Sequence, residues 1–129
     1  NLRELREYTG RPLATEDEWA AAALGLVDAG KAEVVALSLG HRGALLAARG
    51  VVLRAAALEV TIASTVGAGD SFVASIVWSL SRCASLEQAL LTGVAGGTAA
   101  LLEPETRLAF PEDTERLAPQ VEVRARDAR

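Results

Sequence analysis

The chain carries a single cysteine, Cys83, a single histidine, His41, and no methionine. One thiol excludes an internal disulfide and suits a reducing, cytoplasmic compartment. One Cys and one His cannot assemble a zinc site. Aromatic side chains are few, and much of the hydrophobic half of the sequence is Ala, Leu and Val, an ordinary globular composition. No apolar run approaches the ~20 residues of a membrane span, and nothing resembles a secretory leader. Acidic residues outnumber basic ones, 17 to 13, and no basic stripe is present. Neither a membrane nor nucleic acid is therefore an expected partner. With 129 residues, no repeat and no low-complexity linker, the length suits one compact domain, residues 1–129.

Turn and cap signals divide what is there. Asn1 to Thr9 reads as a short helix ending at Gly10, with Arg11-Pro12 as its exit. Thr15-Glu16-Asp17-Glu18 has the spacing of a capping box, starting a helix that runs to Ala29 and stops at Gly30. Glu33 to Leu39 is almost continuously apolar, as in a buried parallel strand. Gly40 to Gly43 is a turn. Ala44 to Ala48 and Val51 to Ala56 read as a hairpin joined by Arg49-Gly50. Phe72 to Arg82 reads as a buried helix with Phe72, Val73, Ile76, Val77 and Leu80 on its inner side. Ser85-Leu86-Glu87-Gln88 caps another helix, whose broad face carries Leu86, Ala89, Leu90, Gly93, Val94, Gly97 and Leu101. Pro111 starts a short helix to Leu117. A last strand is expected at Val121 to Arg124, and Arg124 to Arg129 as a frayed, charged tail. Helices, strand and hairpin in this order fit half of a layered α/β/α domain.

The most specific stretch is Ser64-Thr65-Val66-Gly67-Ala68-Gly69-Asp70-Ser71. It lacks the lysine of a Walker A loop, and Phe72 stands where a dinucleotide fingerprint needs its third glycine. A Gly-rich turn opening a helix presents free amides at the positive end of the helix dipole. An Asp beside that anion site can take a proton from an attacking hydroxyl while the amides hold a transferring phosphoryl group. The combination points to phosphoryl transfer. Gly69 is expected to let the backbone approach the phosphates, with a positive φ.

Ser64 to Ser71 resembles the second signature of the PfkB/ribokinase family of carbohydrate kinases, in the branch that phosphorylates sugar phosphates. The resemblance makes Asp70 the catalytic base and Gly67, Ala68, Gly69 and Asp70 the anion-hole donors. It implies a three-layer ribokinase-like α/β/α fold, of which this chain is the C-terminal nucleotide-binding portion, without the acceptor-binding part and lid. Asn1-Leu2-Arg3-Glu4 is similar to the family's Asn-x-x-Glu motif, which assigns Asn1 and Glu4 to Mg²⁺ and its waters. Ser38-Leu39-Gly40-His41-Arg42-Gly43 resembles the turn that lies against the nucleotide, giving Ser38, Gly40, His41 and Gly43 as ATP contacts, with His41 flanking adenine or ribose. Gly93-Val94-Ala95-Gly96-Gly97-Thr98 resembles the helix bordering adenine, adding Val94, Gly97 and Thr98. Ser64, Val66, Gly67 and Gly69 complete the cofactor-binding set. Thr106-Arg107-Leu108 resembles the stretch that closes the site. A monovalent cation such as K⁺ would bind backbone carbonyls between Glu103-Pro104-Glu105 and Ser64 or Val66; Glu105, where relatives often carry Gly, departs from that pattern. The implied acceptor is fructose 6-phosphate, with tagatose 6-phosphate and fructose 1-phosphate as alternatives. A homodimer is compatible with the resemblance for the full-length protein, as is a non-catalytic nucleotide-binding role for this portion alone.

Each motif also has a plainer reading. Asp70 suits any helix start by its charge. Asn1 and Glu4 form a capping box without any metal. Three glycines in one helix, Gly93, Gly96 and Gly97, cost roughly 1 kcal/mol each relative to Ala, which asks for close helix packing, a flat adenine wall, or both. Trp19 and Trp78 read as packing residues, and Cys83 lies too far along its helix to serve the loop.

Overall fold

The computed structural model describes residues 1–104 and 109–126. Helix α1 (Leu2–Thr9) starts on the Asn1–Glu4 capping box and ends where Gly10 turns left-handed at φ 66°. Helix α2 (Glu16–Asp28) starts on the second capping box, Thr15 with Glu18. Strands β1 (Val34–Ser38), β2 (Ala44–Ala48) and β3 (Val51–Ala55) follow, with a 3₁₀ turn at Gly40–Arg42 between the first two. Then come α3 (Ala68–Ser81), α4 (Leu86–Leu102), α5 (Pro111–Leu117) and β4 (Val123–Arg126). Among the described residues no helix is long and apolar enough to cross a membrane.

The four strands form one sheet in chain order, and every neighbouring pair is antiparallel. The expectation of a parallel strand at Glu33 to Leu39 is therefore corrected. A continuous apolar run reports burial on both faces, and the strand buried on both faces is β2; β1 is half-buried and antiparallel to it. Side chains alternate across the sheet. Leu45, Ala47 and Val52 meet Leu5, Trp19, Ala23 and Val27 of α1 and α2. Leu46, Leu53 and Ala55 meet Phe72, Ile76, Leu90, Val94 and Leu117 of α3, α4 and α5. The result is a three-layer α/β/α arrangement.

Four further expectations shift. Helix α3 begins at Ala68, four residues before Phe72, so the Gly-Ala-Gly-Asp stretch is its first turn. Val73 and Val77 are exposed, because Phe72, Ile76 and Ser79 take the face toward α4 and a valine one residue on is rotated away from it. Trp78 is exposed as well, its ring beneath the Arg82 guanidinium at 5.3 Å; Trp19 is buried as expected and donates from Nε1 to the Leu13 carbonyl at 2.7 Å. The last strand lies two residues later than Val121–Arg124. Arg124 and Arg126 belong to it rather than to a tail, and Val121 joins the core before it. The expectations for Glu105, Thr106, Arg107 and Leu108 and for residues 127–129 lie outside the described residues.

Candidate functional site

A cavity of about 700 Å³ opens at one end of the sheet, within the range of small-molecule sites. One wall is the exit of β1 and the turn after it: Ser38, Gly40, His41 and Gly43. Gly40 has φ 58° and Gly43 φ 89°, conformations that favour glycine. The turn closes on itself through Gly43 N–H to the Gly40 carbonyl at 3.0 Å and Leu39 N–H to the Gly43 carbonyl at 2.9 Å. A Cβ on Gly43 would lie 2.7 Å from Ala57 N, so the turn leans directly on the backbone leaving β3.

The opposite wall is the first turn of α3, through Ala68, Gly69 and Phe72. Gly67 is the N-cap, left-handed at φ 85°, and no side chain caps this helix. The first-turn amides therefore keep no intrahelical or side-chain partner, at the positive end of a 14-residue helix. Asp70 is exposed in that turn, immediately after Gly69. The approach to the turn is tethered: the Ala63 and Ser64 amides donate to the Leu101 carbonyl at 2.7 and 3.3 Å, and Ser64 Oγ accepts from Val66 N–H at 3.2 Å. Behind the turn, buried Ser71 accepts from Ala109 N–H at 3.3 Å, fixing the chain entering α5.

The floor comes from α4, through Val94, Gly97 and Thr98. Thr98 is buried, its hydroxyl donating to the Val94 carbonyl at 2.7 Å. Gly93 and Gly96 face α3. A Cβ on Gly93 would sit 2.5 Å from Ile76 Cγ1, and one on Gly96 would sit 2.9 Å from Ser75 Cβ. Gly97 does both jobs, touching α3 at Ala68 and Phe72 while lining the cavity. Helix packing thus explains two of the three glycines, and packing plus the cavity wall explains the third.

The fold brings together Ser38, Gly40, His41, Gly43, Ala68 and Gly69, and with them Val94, Gly97 and Thr98. Ser64, Val66, Gly67 and Asp70 flank the wall without belonging to it. Asn1 and Glu4 are at the start of α1, exposed and outside the cavity lining, with Glu4 N–H donating to Asn1 Oδ1 at 3.0 Å. Among the described residues, no three of His, Cys, Asp or Glu gather as a metal cluster. Sequence reasoning missed the segment Ala57 to Val60, with Ile62 and Thr65, which supplies the remaining side of the cavity. The available signal was its lack of helix or strand between β3 and α3, a long irregular stretch of the kind that serves function in a compact domain.

A sequence profile described as pfkB family carbohydrate kinase matches residues 1–113. The chain is 48% identical over 116 residues to an ATP-dependent 6-phosphofructokinase isozyme 2 of Mycobacterium tuberculosis, covering 90% of this chain and 34% of that protein. It is 34% identical over 123 residues to a 1-phosphofructokinase of Bacillus subtilis, covering 95% of this chain and 40% of that one. Its structure is similar to phosphofructokinase-2 from Escherichia coli, solved in complex with potassium, with a TM-score of 0.88 and 38% identity over 92% of this chain and 38% of that chain. The chain thus spans little more than a third of the length of these relatives.

Proposed function

Since the chain belongs to the pfkB family of carbohydrate kinases, we propose that it is the nucleotide-binding portion of an ATP-dependent kinase acting on a sugar phosphate. The reading is carried by one arrangement: an uncapped helix start whose Gly69 lines the cavity and whose next residue is an exposed carboxylate, Asp70. ATP lies in the cavity between the Ser38–Gly43 turn and the α4 floor. Adenine rests over Val94, Gly97 and Thr98, and His41 flanks adenine or ribose. The amides of Gly67, Ala68, Gly69 and Asp70 hold the charge of the transferring phosphoryl group. Asp70 takes the acceptor hydroxyl proton as the oxygen attacks in line.

Mg²⁺ arrives on nucleotide phosphates, keeps several waters and needs one or two carboxylates; Glu4, exposed at the start of α1, is such a carboxylate. Asn1 and Glu4 would hold its water shell, and the ion would neutralise charge on the phosphates when bound. A potassium ion, as named for the E. coli structure, would draw on backbone near Ser64 and Val66.

Fructose 6-phosphate is the proposed acceptor, giving fructose 1,6-bisphosphate, on the identity to the M. tuberculosis isozyme. The likeness to a 1-phosphofructokinase supports fructose 1-phosphate as the second reading. A phosphotransfer screen of the full-length protein over fructose 6-phosphate, fructose 1-phosphate and tagatose 6-phosphate decides between them. In the same assay Asp70→Asn is expected to lower kcat at least ~10²-fold with ATP affinity little changed. Turnover near wild type in that variant removes Asp70 as the base.

A further inference from the structure

We infer that Arg54 is the positioning residue of the turn Gly40–Gly43, an inference that rests on the reading of the cavity as a nucleotide site. Arg54 sits in β3, opposite Leu45, on the sheet face covered by α2. Its guanidinium holds three backbone carbonyls. Nη2 donates to the carbonyl of Arg42, the last residue of the 3₁₀ turn. Nη1 donates to Ala44 at 3.1 Å and also to Ala55. Nε lies 3.2 Å from Glu16 Oε1, close enough for an ion pair though not aligned for a hydrogen bond. Glu16 in turn pairs with Arg126 of β4, so the head group is anchored from the N-terminus of α2.

The hairpin does not need this clamp, because Ala44 and Ala55 are already ladder partners. Arg42 is different: it lies outside the ladder, and Arg54 ties its carbonyl to the sheet. Its side chain is held too, with the guanidinium 5.4 Å from the centre of the buried Trp19 ring. The turn is thereby gripped on the α2 side by Arg54 and Trp19, while Gly40, His41 and Gly43 present its other side to the cavity. A planar fork reaches three separated carbonyls; an ammonium, a point charge on a flexible stem, does not reproduce that geometry. Arg54 is not itself a lining residue of the cavity and reaches it only through backbone, the turn and Ala44, so it acts as a positioning residue.

The test uses the full-length protein as wild type, R54M, R54K and E16Q. In R54M the amides of residues 39–44 are expected to exchange hydrogen about tenfold faster, with α3 and α4 unchanged. The Kd for ATP–Mg²⁺ should rise about tenfold, the equivalent of ~1.4 kcal/mol, while kcat at saturating ATP falls far less. R54K should recover little of either, and E16Q should stay within about threefold of wild type, since the carbonyl fork is the point of action. Restoration by R54K would overturn the inference, because charge opposite Glu16 would then suffice. So would unchanged exchange, or faster exchange with unchanged Kd, in a protein whose wild type binds ATP. If wild type binds no ATP at all, the nucleotide reading itself falls, an outcome separable from the others by its wild-type arm.

Discussion

The two main helix starts of this molecule are built in opposite ways. Helix α2 begins closed: Thr15 and Glu18 cap each other's backbone, and Glu16 and Asp17 pair with arginines of the sheet. Helix α3 begins open: a left-handed glycine, no capping side chain, and an exposed aspartate beside the cavity wall. Capping typically stabilises a helix by ~1 kcal/mol, and α3 forgoes it. The layers behind the two starts differ in the same sense. Under α2 the packing is side chain on side chain, with Trp19, Val27 and the alanines of α2 clustered with Leu13, Leu37 and Leu45. Between α3 and α4 it is backbone against side chain, made possible by glycines. A helix start closed by its own side chains serves stability; one left open keeps its donors for something else.

The largest test of that division is Trp19→Ala. Trp19 is 5% exposed, anchors the α2 layer and donates to the Leu13 carbonyl. Its loss is expected to destabilise the fold by about 3–5 kcal/mol, read by urea unfolding. Activity per folded molecule should persist in part, because the ring forms no cavity wall. A loss under ~1 kcal/mol would mean that the α2 layer is not the stabilising half.

On the α3–α4 side, Gly93→Ala and Gly69→Ala should separate packing from ligand. At Gly93 the new methyl meets buried Ile76. Overpacking of about 1–3 kcal/mol opposes a helix-propensity gain of roughly 1 kcal/mol, so a net loss of about 1 kcal/mol is expected in melting experiments. Gly69 is the reverse case. The sequence-based expectation of a positive φ there is corrected, because the left-handed residue is Gly67, and a Cβ on Gly69 meets nothing within 4 Å. Gly69→Ala should therefore leave stability unchanged or raise it by up to ~1 kcal/mol. Its methyl would project from a wall of the cavity, so ATP affinity and turnover should fall several-fold. Equal losses of melting temperature in the two variants would abolish the distinction.

These contrasts mark how much was legible beforehand. Both capping boxes were readable because their signal is local, a side chain and its partner three residues on. So were the hairpin at Arg49-Gly50 and the Gly-rich start of α3. Strand direction was not, because an apolar run records burial and β2 and β1 differ only in what covers them. The exposed Val73 and Val77 were unreadable for a related reason: apolar residues on two faces of α3 do not say which face α4 occupies. Of the residues taken from motifs, Ser38, Gly40, His41, Gly43, Gly69, Val94, Gly97 and Thr98 meet in one cavity. Arg54 carries no local pattern, and the Ala57–Val60 wall only that of a long stretch without helix or strand. They depend on register and on which loop folds over which sheet end, and only the tertiary arrangement supplies that.

The smallest effect sharpens the contrast between the two helix starts most directly. The Glu18 carboxylate accepts from the amides of Ala14 and Thr15 at 2.6 and 2.8 Å. The amide of Thr15, then that of Ala14, hold its carboxyl below the ordinary value of 4.5. A carboxyl whose pKa is lower in the folded than in the unfolded chain binds its proton less readily when folded, so acidification favours unfolding. The stability contributed by Glu18 is complete above the unfolded value. It is lost as pH falls below about 4.5 through the lower folded value. Glu18→Ala should therefore be slightly less stable than wild type near neutral pH, and the gap should close on acidification, read as paired urea midpoints from pH 7 down to pH 3. The gap will be small because this carboxylate is near water, where such interactions are weak. A gap that stays constant over that range would show that Glu18 acts by packing or helix propensity rather than as an ionised cap. The capping box of α2 would then owe nothing to the charge of Glu18, and its part in the difference from α3 would rest on Thr15, beside the ion pairs of Glu16 and Asp17.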